Sequence, residues 1–437
     1  MARARAAASP ETALTRLQQT SVEKRYLEAS DRVASLARER TQLLAKANRT
    51  PEEDRRLETI TFEIVRANDA FRVFLDELSK ERPEQVDALR EFTGVMATLR
   101  EIGNGTVALY TILSEDKYSV VMVTSSVRIA RQYSIKAADL NRMIVAFRQA
   151  LKDPRVDPRP LGQELYKILV SPIASDLEAA GAQTLMWSLD GSLRYLPMGA
   201  LYDGKRYLVE RYRNTVFTPA SLITLRDEPG PTASMRVLGL GVSKPTAEFN
   251  ALPGVARELR EIIKQSETAG LSRGRLLLNE DFTAANLQSA LRERYSIVHI
   301  ASLFQFRPNE PSDSFLLLGD GSRITVGQLQ AFPNIFYGVE LLVLSACDTA
   351  LSGDSNGREV EGFAIVAQRQ GAKAVMATLW PMDDATNVKL MSTFFKRLLK
   401  GNSKAEALRQ AQLELLSQPS SSHPYYWAPY VLIGNSK

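Results

Sequence analysis

Apolar residues recur at three- and four-residue steps through the first hundred positions, in a stretch rich in Leu, Ala, Glu, Arg and Lys and almost without Gly. This period is typical of amphipathic helices. The pattern breaks at Thr50, which stands as a helix N-cap before Pro51 and two glutamates, a usual helix start. We therefore predict antiparallel helices over 12–47 and 51–80 and a shorter one from Pro83. Together they form a coiled-coil-like helical hairpin module over 1–100. This module is either a scaffold packed on the rest of the chain, or a partner-docking surface or remnant of a helical-repeat array; no internal repeat is visible.

The period changes after Gly103. Two β-rich runs, 106–113 and 118–124, are separated by four polar residues and predict a β-hairpin. Helical patterns over 136–151 and 160–180 follow, divided by a proline-rich linker that cannot be helical. These elements make a lead-in over 101–180.

Strand-like and helix-like runs alternate from residue 181 to the C-terminus. The predicted strands cover 184–189, 236–242, 296–301, 341–346, 373–379 and 430–433. The predicted helices cover 255–267, 283–293, 359–371, 385–400 and 403–417. Such alternation indicates an α/β sheet with helices on its faces.

Composition excludes several classes. Hydrophobic residues at 44% and charged residues at 24% are ordinary for a soluble globular protein. The net charge of +5 is small, and Arg and Glu are mixed rather than arranged in a basic stripe, which argues against nucleic acid as a partner. No apolar run is long enough to span a bilayer and the N-terminus has no apolar signal region, so we expect no membrane partner.

A single cysteine rules out an internal disulfide and favours a reducing, cytoplasmic setting. Two histidines beside it are too few for a usual zinc site. We expect neither a metal nor another cofactor.

The lone thiol, Cys347, ends the apolar run that begins at Leu341. Loops at the carboxyl ends of parallel strands present ligand-binding and catalytic side chains, so Cys347 is placed as a nucleophile would be. A free Cys is also often a small buried hydrophobe. His299 lies 48 residues earlier in a second strand-like run and would make a dyad with the thiol. Because His299 is mid-strand, however, we expect its ring to be buried beneath the site.

Several separate motifs resemble one family from about residue 105 to the C-terminus. They are Leu344-Ser345-Ala346-Cys347-Asp348-Thr349-Ala350, Val360-Glu361-Gly362-Phe363, Gln370-Gly371-Ala372-Lys373-Ala374-Val375, Thr378-Leu379-Trp380-Pro381-Met382-Asp383-Asp384, Ala405-Glu406-Ala407-Leu408-Arg409-Gln410-Ala411-Gln412 and His423-Pro424-Tyr425-Tyr426-Trp427-Ala428. These resemble the CHAT domain, a caspase-like cysteine peptidase of the caspase/separase clan. The resemblance implies a CHAT domain over 101–437, with a caspase-like sheet, helices on both faces, and a peptidase core over 181–437.

The resemblance implies that Cys347 attacks the scissile carbonyl and forms a thioester, while a histidine on the neighbouring strand moves the proton. In the family's pattern of His, apolar, Ala, Ser or Thr, His, the second His is catalytic. Here the first position is His299 and the second is Leu303. Leucine can neither give nor accept a proton, and general acid–base help is worth ~10²–10⁴-fold in rate. We expect this chain to be inactive or strongly impaired.

Three explanations remain open: an engineered loss of function, a natural pseudoprotease that binds without cleaving, and rescue by His299 as the base. Positions 299, 301 and 303 share one face of the predicted strand, but at ~3.3 Å per residue His299 lies ~13 Å behind position 303, which argues against rescue. The alternative to a peptidase is a non-catalytic peptide-binding regulatory module.

Residues near Cys347 in the sequence, and the region that the resemblance places beside it, supply further site candidates. Asp348 and Glu361 could line an acidic pocket for Lys or Arg, although a glutamate there also favours the positive end of a helix dipole. The backbone N–H groups of Cys347 and of the loop at Phe304 could form an oxyanion hole. The implied partners are a protein substrate, such as the pore-forming effectors cleaved by family members in bacterial defence, and an activating protein or ligand that acts through the helical module.

Overall fold

The computed structural model describes most of the chain. The described residues are 32, 35–36, 38–40, 42–43, 46, 49–60, 63–64, 92–103, 105–246, 250–264, 270–305, 314–332, 334–345 and 358–437. The side chains of 92–94, 233 and 358–361 are not among them. The predicted residues Cys347 and Asp348, and the predicted third helix up to residue 91, lie outside the described residues.

Two compact units divide the chain. The first contains the described residues of Met1–Leu109 together with Ser119–Gln132 and Pro172–Ala182. The second contains Tyr110–Tyr118, Tyr133–Ser171 and Gln183–Lys437.

The strands are β1 (Thr106–Leu113), β2 (Lys117–Val123), β3 (Arg128–Ser134), β4 (Thr184–Ser188), β5 (Arg213–Val216), β6 (Val237–Gly241), β7 (Gly274–Leu278), β8 (Ile297–Ala301), β9 (Phe304–Gln305), β10 (Phe315–Leu317), β11 (Arg323–Thr325), β12 (Leu341–Leu344), β13 (Ala374–Thr378) and β14 (Tyr430–Gly434). The named helices are α1 (Phe92–Ile102), α2 (Ala137–Lys152), α3 (Arg159–Leu169), α4 (Ala174–Ala179), α5 (Leu208–Arg211), α6 (Pro253–Ile262), α7 (Ala284–Arg292), α8 (Val326–Gln330), α9 (Arg358–Arg369), α10 (Asp384–Leu399), α11 (Lys404–Leu416) and α12 (Pro424–Trp427).

The first unit begins with an antiparallel helix pair. A helix begins at Pro51, and Thr50 and Glu53 exchange the two hydrogen bonds of a capping box in front of it. Arg56 donates to Glu39 at 2.8 Å, while Arg32 lies 4.0 Å from Glu63. The earlier residue of the first helix, Arg32, thus lies near the later residue of the second, Glu63, so the two helices run antiparallel, as in the predicted hairpin. Strands β3, β2 and β1 hydrogen-bond side by side in that order.

The second unit is built on a mostly parallel sheet. Its strands run in the order β4-β5-β14-β13-β12-β8-β6-β7, and β14 is antiparallel to β13. Both β8 and β12 are fully buried along their length, which explains why β12 is entirely apolar and β8 is apolar except for His299. A small antiparallel sheet, β11-β10-β9, lies between them in sequence.

Helices cover both faces of this sheet. The connection from β6 to β7, which contains α6, runs towards the β7 edge of the sheet. The connections from β8 to β12 and from β12 to β13, the second of which contains α9, run in the opposite direction. Because such crossovers are right-handed, the two directions place their helices on opposite faces. On the α6 face, α10 packs against both α6 and α11. The predicted α/β architecture is confirmed.

Two of the differences from the sequence prediction lie in the helix expected over 160–180 and at one edge of the sheet. The helix expected over 160–180 is divided into α3 and α4 by a tight turn over Ser171–Ile173, because Pro172 has no N–H to continue the ladder. The strand β7 has no predicted counterpart, since it lies at the sheet edge and begins with Gly274 and Arg275.

Candidate active site

Two strand ends define the predicted site. Strands β8 and β12 are parallel neighbours, and their register pairs Ile300 with Leu344. Leu303 follows Ile300 by three residues, and Cys347 follows Leu344 by three. Both predicted positions therefore follow adjacent strands by the same number of residues, at the edge of the sheet where α/β proteins bind ligands.

The backbone at Leu303 is held by the small antiparallel sheet. Strand β8 ends at Ala301, and the buried hydroxyl of Ser302 donates to the carbonyl of Leu317 at 2.8 Å. The N–H of Leu317 donates back to the carbonyl of Leu303 at 3.0 Å. Leu303 thus lies beyond the strand rather than on a continuation of it, which corrects the expected common face with His299. Its side chain is half-buried.

Phe304 lies in a strand instead of the expected loop. It is in β9 and pairs with Leu316 of β10. Its buried ring contacts Phe363 of α9, with ring centroids 4.4 Å apart. This contact holds β9 beside α9, in whose first turn Glu361 lies; the side chain of Glu361 is outside the described residues. The pocket role of Glu361 and the oxyanion role of the Phe304 backbone stay predictions.

His299 is buried beneath this edge, as predicted. Its exposed fraction is 0%, and Nε2 lies 3.1 Å from Oγ of Ser345 and 2.8 Å from Oε1 of Glu258. The contact with Glu258 is close but lacks the alignment of a good hydrogen bond, so the aligned bond is the one to Ser345. An imidazole engaged in this way and closed to solvent is poorly placed to replace a base at position 303.

Glu258 and Asn387 complete a polar layer that the sequence prediction missed. Glu258 is 2% exposed and accepts a hydrogen bond from Nδ2 of Asn387 at 2.9 Å. The hydroxyl of Tyr430 donates to Oδ1 of Asn387 at 2.8 Å. A signal was present: Glu258 falls on the helical stripe of Val255, Leu259 and Ile262, where a charged residue is unusual.

Within the described residues, no group of three His, Cys, Asp or Glu side chains is arranged to hold a metal ion. The helices in this part of the chain also include none with the length and apolar character needed to cross a membrane.

Curated relatives match a short part of the chain. Tetratricopeptide repeat protein 28 of Mus musculus and of Homo sapiens are each 32% identical over 101 residues, which is 22% of this chain. The match spans about 4% of the length of either relative.

Solved structures similar to this chain include two kinds of protein. The Arg-specific cysteine proteinase gingipain R is 9% identical with a TM-score of 0.39, over 68% of this chain and 74% of its own. The separase–securin complex of Saccharomyces cerevisiae is 14% identical with a TM-score of 0.38, over 93% of this chain and 27% of the matched one.

The family model described as "CHAT domain" matches residues 159–435. This range includes every strand of the sheet from β4 to β14 and both strand ends that flank the predicted site. The chain belongs to the CHAT domain family.

Proposed function

We propose that this protein is a caspase-like cysteine endopeptidase of the CHAT family in which Cys347 is the nucleophile and Leu303 occupies the position of the acid–base histidine. The observation that carries the proposal is the register of β8 and β12, in which Ile300 pairs with Leu344. Positions 303 and 347 each lie three residues after one member of this pair. Two groups so placed are suited to share one substrate atom.

In the competent form, the sulfur of Cys347 attacks the scissile carbonyl carbon and the C–N bond breaks, leaving a thioester. A histidine at position 303 would take the thiol proton and give it to the leaving amine, and would then activate the water that hydrolyses the thioester. Leucine supplies neither step. The loss of ~10²–10⁴-fold in rate corresponds to about 3–5 kcal/mol of barrier, so we expect this chain to cleave slowly or not at all.

The second candidate is a non-catalytic module that holds an extended peptide at the same two strand ends. Leu303 itself favours this candidate, because an apolar side chain at a substrate-facing edge can contact peptide without acting on it. In either case the proposed partner is a polypeptide, such as a pore-forming effector. The proposed setting is the cytoplasm, and an activating protein or ligand would act through the helical module.

Restoring the imidazole separates the two candidates. The variant Leu303→His is incubated with a peptide library, and cleavage is followed by mass spectrometry. Two controls are treated in the same way. The first is Leu303→Asn, which is polar but cannot act as a base, and the second is the double variant Leu303→His, Cys347→Ala. The proposal expects cleavage by the histidine variant alone. If Leu303→His gives no cleavage that depends on Cys347, the peptidase proposal is wrong and the binding module takes its place.

A further inference from the structure

A buried chain of polar contacts lies beneath the strand ends that carry the predicted site. We propose that His299 and Glu258 are positioning residues: they hold Ser345, and through it the end of β12, two residues before the nucleophile Cys347. This inference rests on the proposed peptidase function and assigns residues that do not touch the substrate.

Ser345 is held at two points. Its N–H donates to the carbonyl of Ile300 at 3.0 Å, which extends the β8–β12 ladder by one residue. Its hydroxyl lies 3.1 Å from Nε2 of His299. The backbone bond fixes where the residue lies, and the side-chain bond fixes how it is rotated. Together they fix the end of β12, two residues before Cys347.

The ring of His299 is itself immobilised. It is closed to solvent and stacks on Phe395 of α10, with ring centroids 5.9 Å apart and planes within 6°. Both of its polar neighbours, Ser345 and Glu258, contact Nε2. Among the described residues, Nδ1 has no partner. Because an ionised carboxylate only accepts hydrogen bonds, a charged Glu258 places the ring proton on Nε2, facing both neighbours.

Keeping Glu258 in this position costs free energy. A carboxylate that is 2% exposed has lost its hydrating water, and this desolvation opposes folding. If residue 258 only filled space, an apolar side chain like the others of the α6 stripe would give a more stable fold. Instead, α6, α10 and β14 contribute Glu258, Asn387 and Tyr430 to one chain of contacts that ends at His299. A role in orientation accounts for this arrangement, whereas filling space does not.

The two nitrogens of His299 allow a sharp test. The side-chain amide of Gln reaches about as far as Nε2, and that of Asn about as far as Nδ1. If the contacts at Nε2 position the site, then in a Leu303→His background His299→Gln should keep kcat within about threefold. His299→Asn should lower kcat by ~10–100-fold with KM nearly unchanged, the effect expected of a reacting group displaced by about 1 Å. Glu258→Gln should also lower kcat, while its control Glu261→Gln, on the same helix but paired at the surface with Arg257, should not.

Equal kcat for the Asn and Gln variants, with each shown to be folded by circular dichroism, would overturn the proposal, because a packing role does not distinguish the two nitrogens. If His299→Asn does not fold, Ser345→Ala takes its place, since it removes the same contact without leaving a buried charge; an unchanged kcat in that variant also overturns it.

Failure of the proposed function is recognised separately. If Leu303→His shows no peptidase activity, positioning is measured by the rate at which iodoacetamide alkylates Cys347, the single cysteine, in the chain with Leu303. His299→Asn should change that rate and His299→Gln should not. The same rate in both variants contradicts positioning, whatever the outcome for the peptidase.

Discussion

Gly254→Ala should destabilise the protein through one contact between α6 and α10. Gly254 is the second residue of α6, and its N–H donates to Oδ2 of Asp384 at 2.9 Å. A Cβ at this position would lie 2.6 Å from Oδ2 and 2.7 Å from Cβ of Asp384. Cγ of Asp384 would be closer still. Ordinary contacts are ~3.5 Å, so the helices would have to separate by about 1 Å.

The magnitude follows from two opposing effects. Overpacking of this size costs about 1–3 kcal/mol, while replacing Gly by Ala in a helix gains about 0.5–1 kcal/mol. We expect a net loss of about 1–2 kcal/mol in the free energy of unfolding. The same separation would break the 2.9 Å bond from Asn387 to Glu258, since Glu258 lies one turn further along α6.

Urea denaturation of the unaltered chain and four variants tests this reasoning. Gly327→Ala is the matched control, because Gly327 is also the second residue of a helix but its Cβ would make only an ordinary contact, 3.8 Å from Oγ1 of Thr325. This variant should be neutral or slightly stabilising. In an Asp384→Gly background the Cβ, Cγ and Oδ2 atoms that cause the clash are all absent, so Gly254→Ala should add no further loss. If Gly254→Ala lowers stability equally in both backgrounds, or not at all, the reasoning is wrong.

Two further predictions concern stability. In the first unit, Asp176→Ala should cost about 3–5 kcal/mol by urea denaturation, because it leaves Arg131 without the carboxylate 3.0 Å away that is 1% exposed. Asp157→Ala, which breaks a half-exposed pair with Arg159, should cost at most about 1 kcal/mol, and similar losses for the two would contradict the argument. Burial lowers the pKa of Lys404 to about 8 from its ordinary 10.5. Between those pH values the unfolded chain binds a proton that the folded chain does not, so stability should rise with pH through this window. Lys404→Met should abolish the rise in pH-dependent denaturation, and a rise that persists in that variant would show that another group causes it.

The elements around the site could be predicted because their sequence patterns are local. The apolar runs that became β8 and β12 are buried on both faces of the sheet, and the predicted helix over 385–400 is α10 within one residue at each end. Strand β5 escaped prediction because Arg213, Asn214 and Thr215 give it no apolar run; its place comes from pairing with β4 and β14.

The contacts beneath the site could not be predicted because they join residues distant in sequence. Glu258 precedes His299 by 41 positions, and Asn387 follows it by 88. The burial of His299 follows from its place in an apolar strand, but its partners depend on which helices cover that face. The end of β8 at Ala301 likewise depends on a distant element, since Leu317 of β10 donates a hydrogen bond to the backbone carbonyl of Leu303.

Labelling with a thiol-directed electrophilic peptide measures whether the residue at position 303 controls the reactivity of Cys347. The unaltered chain and Leu303→His are each treated with the probe, and the adduct is located by mass spectrometry. We expect rapid labelling at Cys347 in the histidine variant and slow labelling in the chain with Leu303. Equal labelling of the two proteins would contradict the assignment of position 303 as the missing acid–base site.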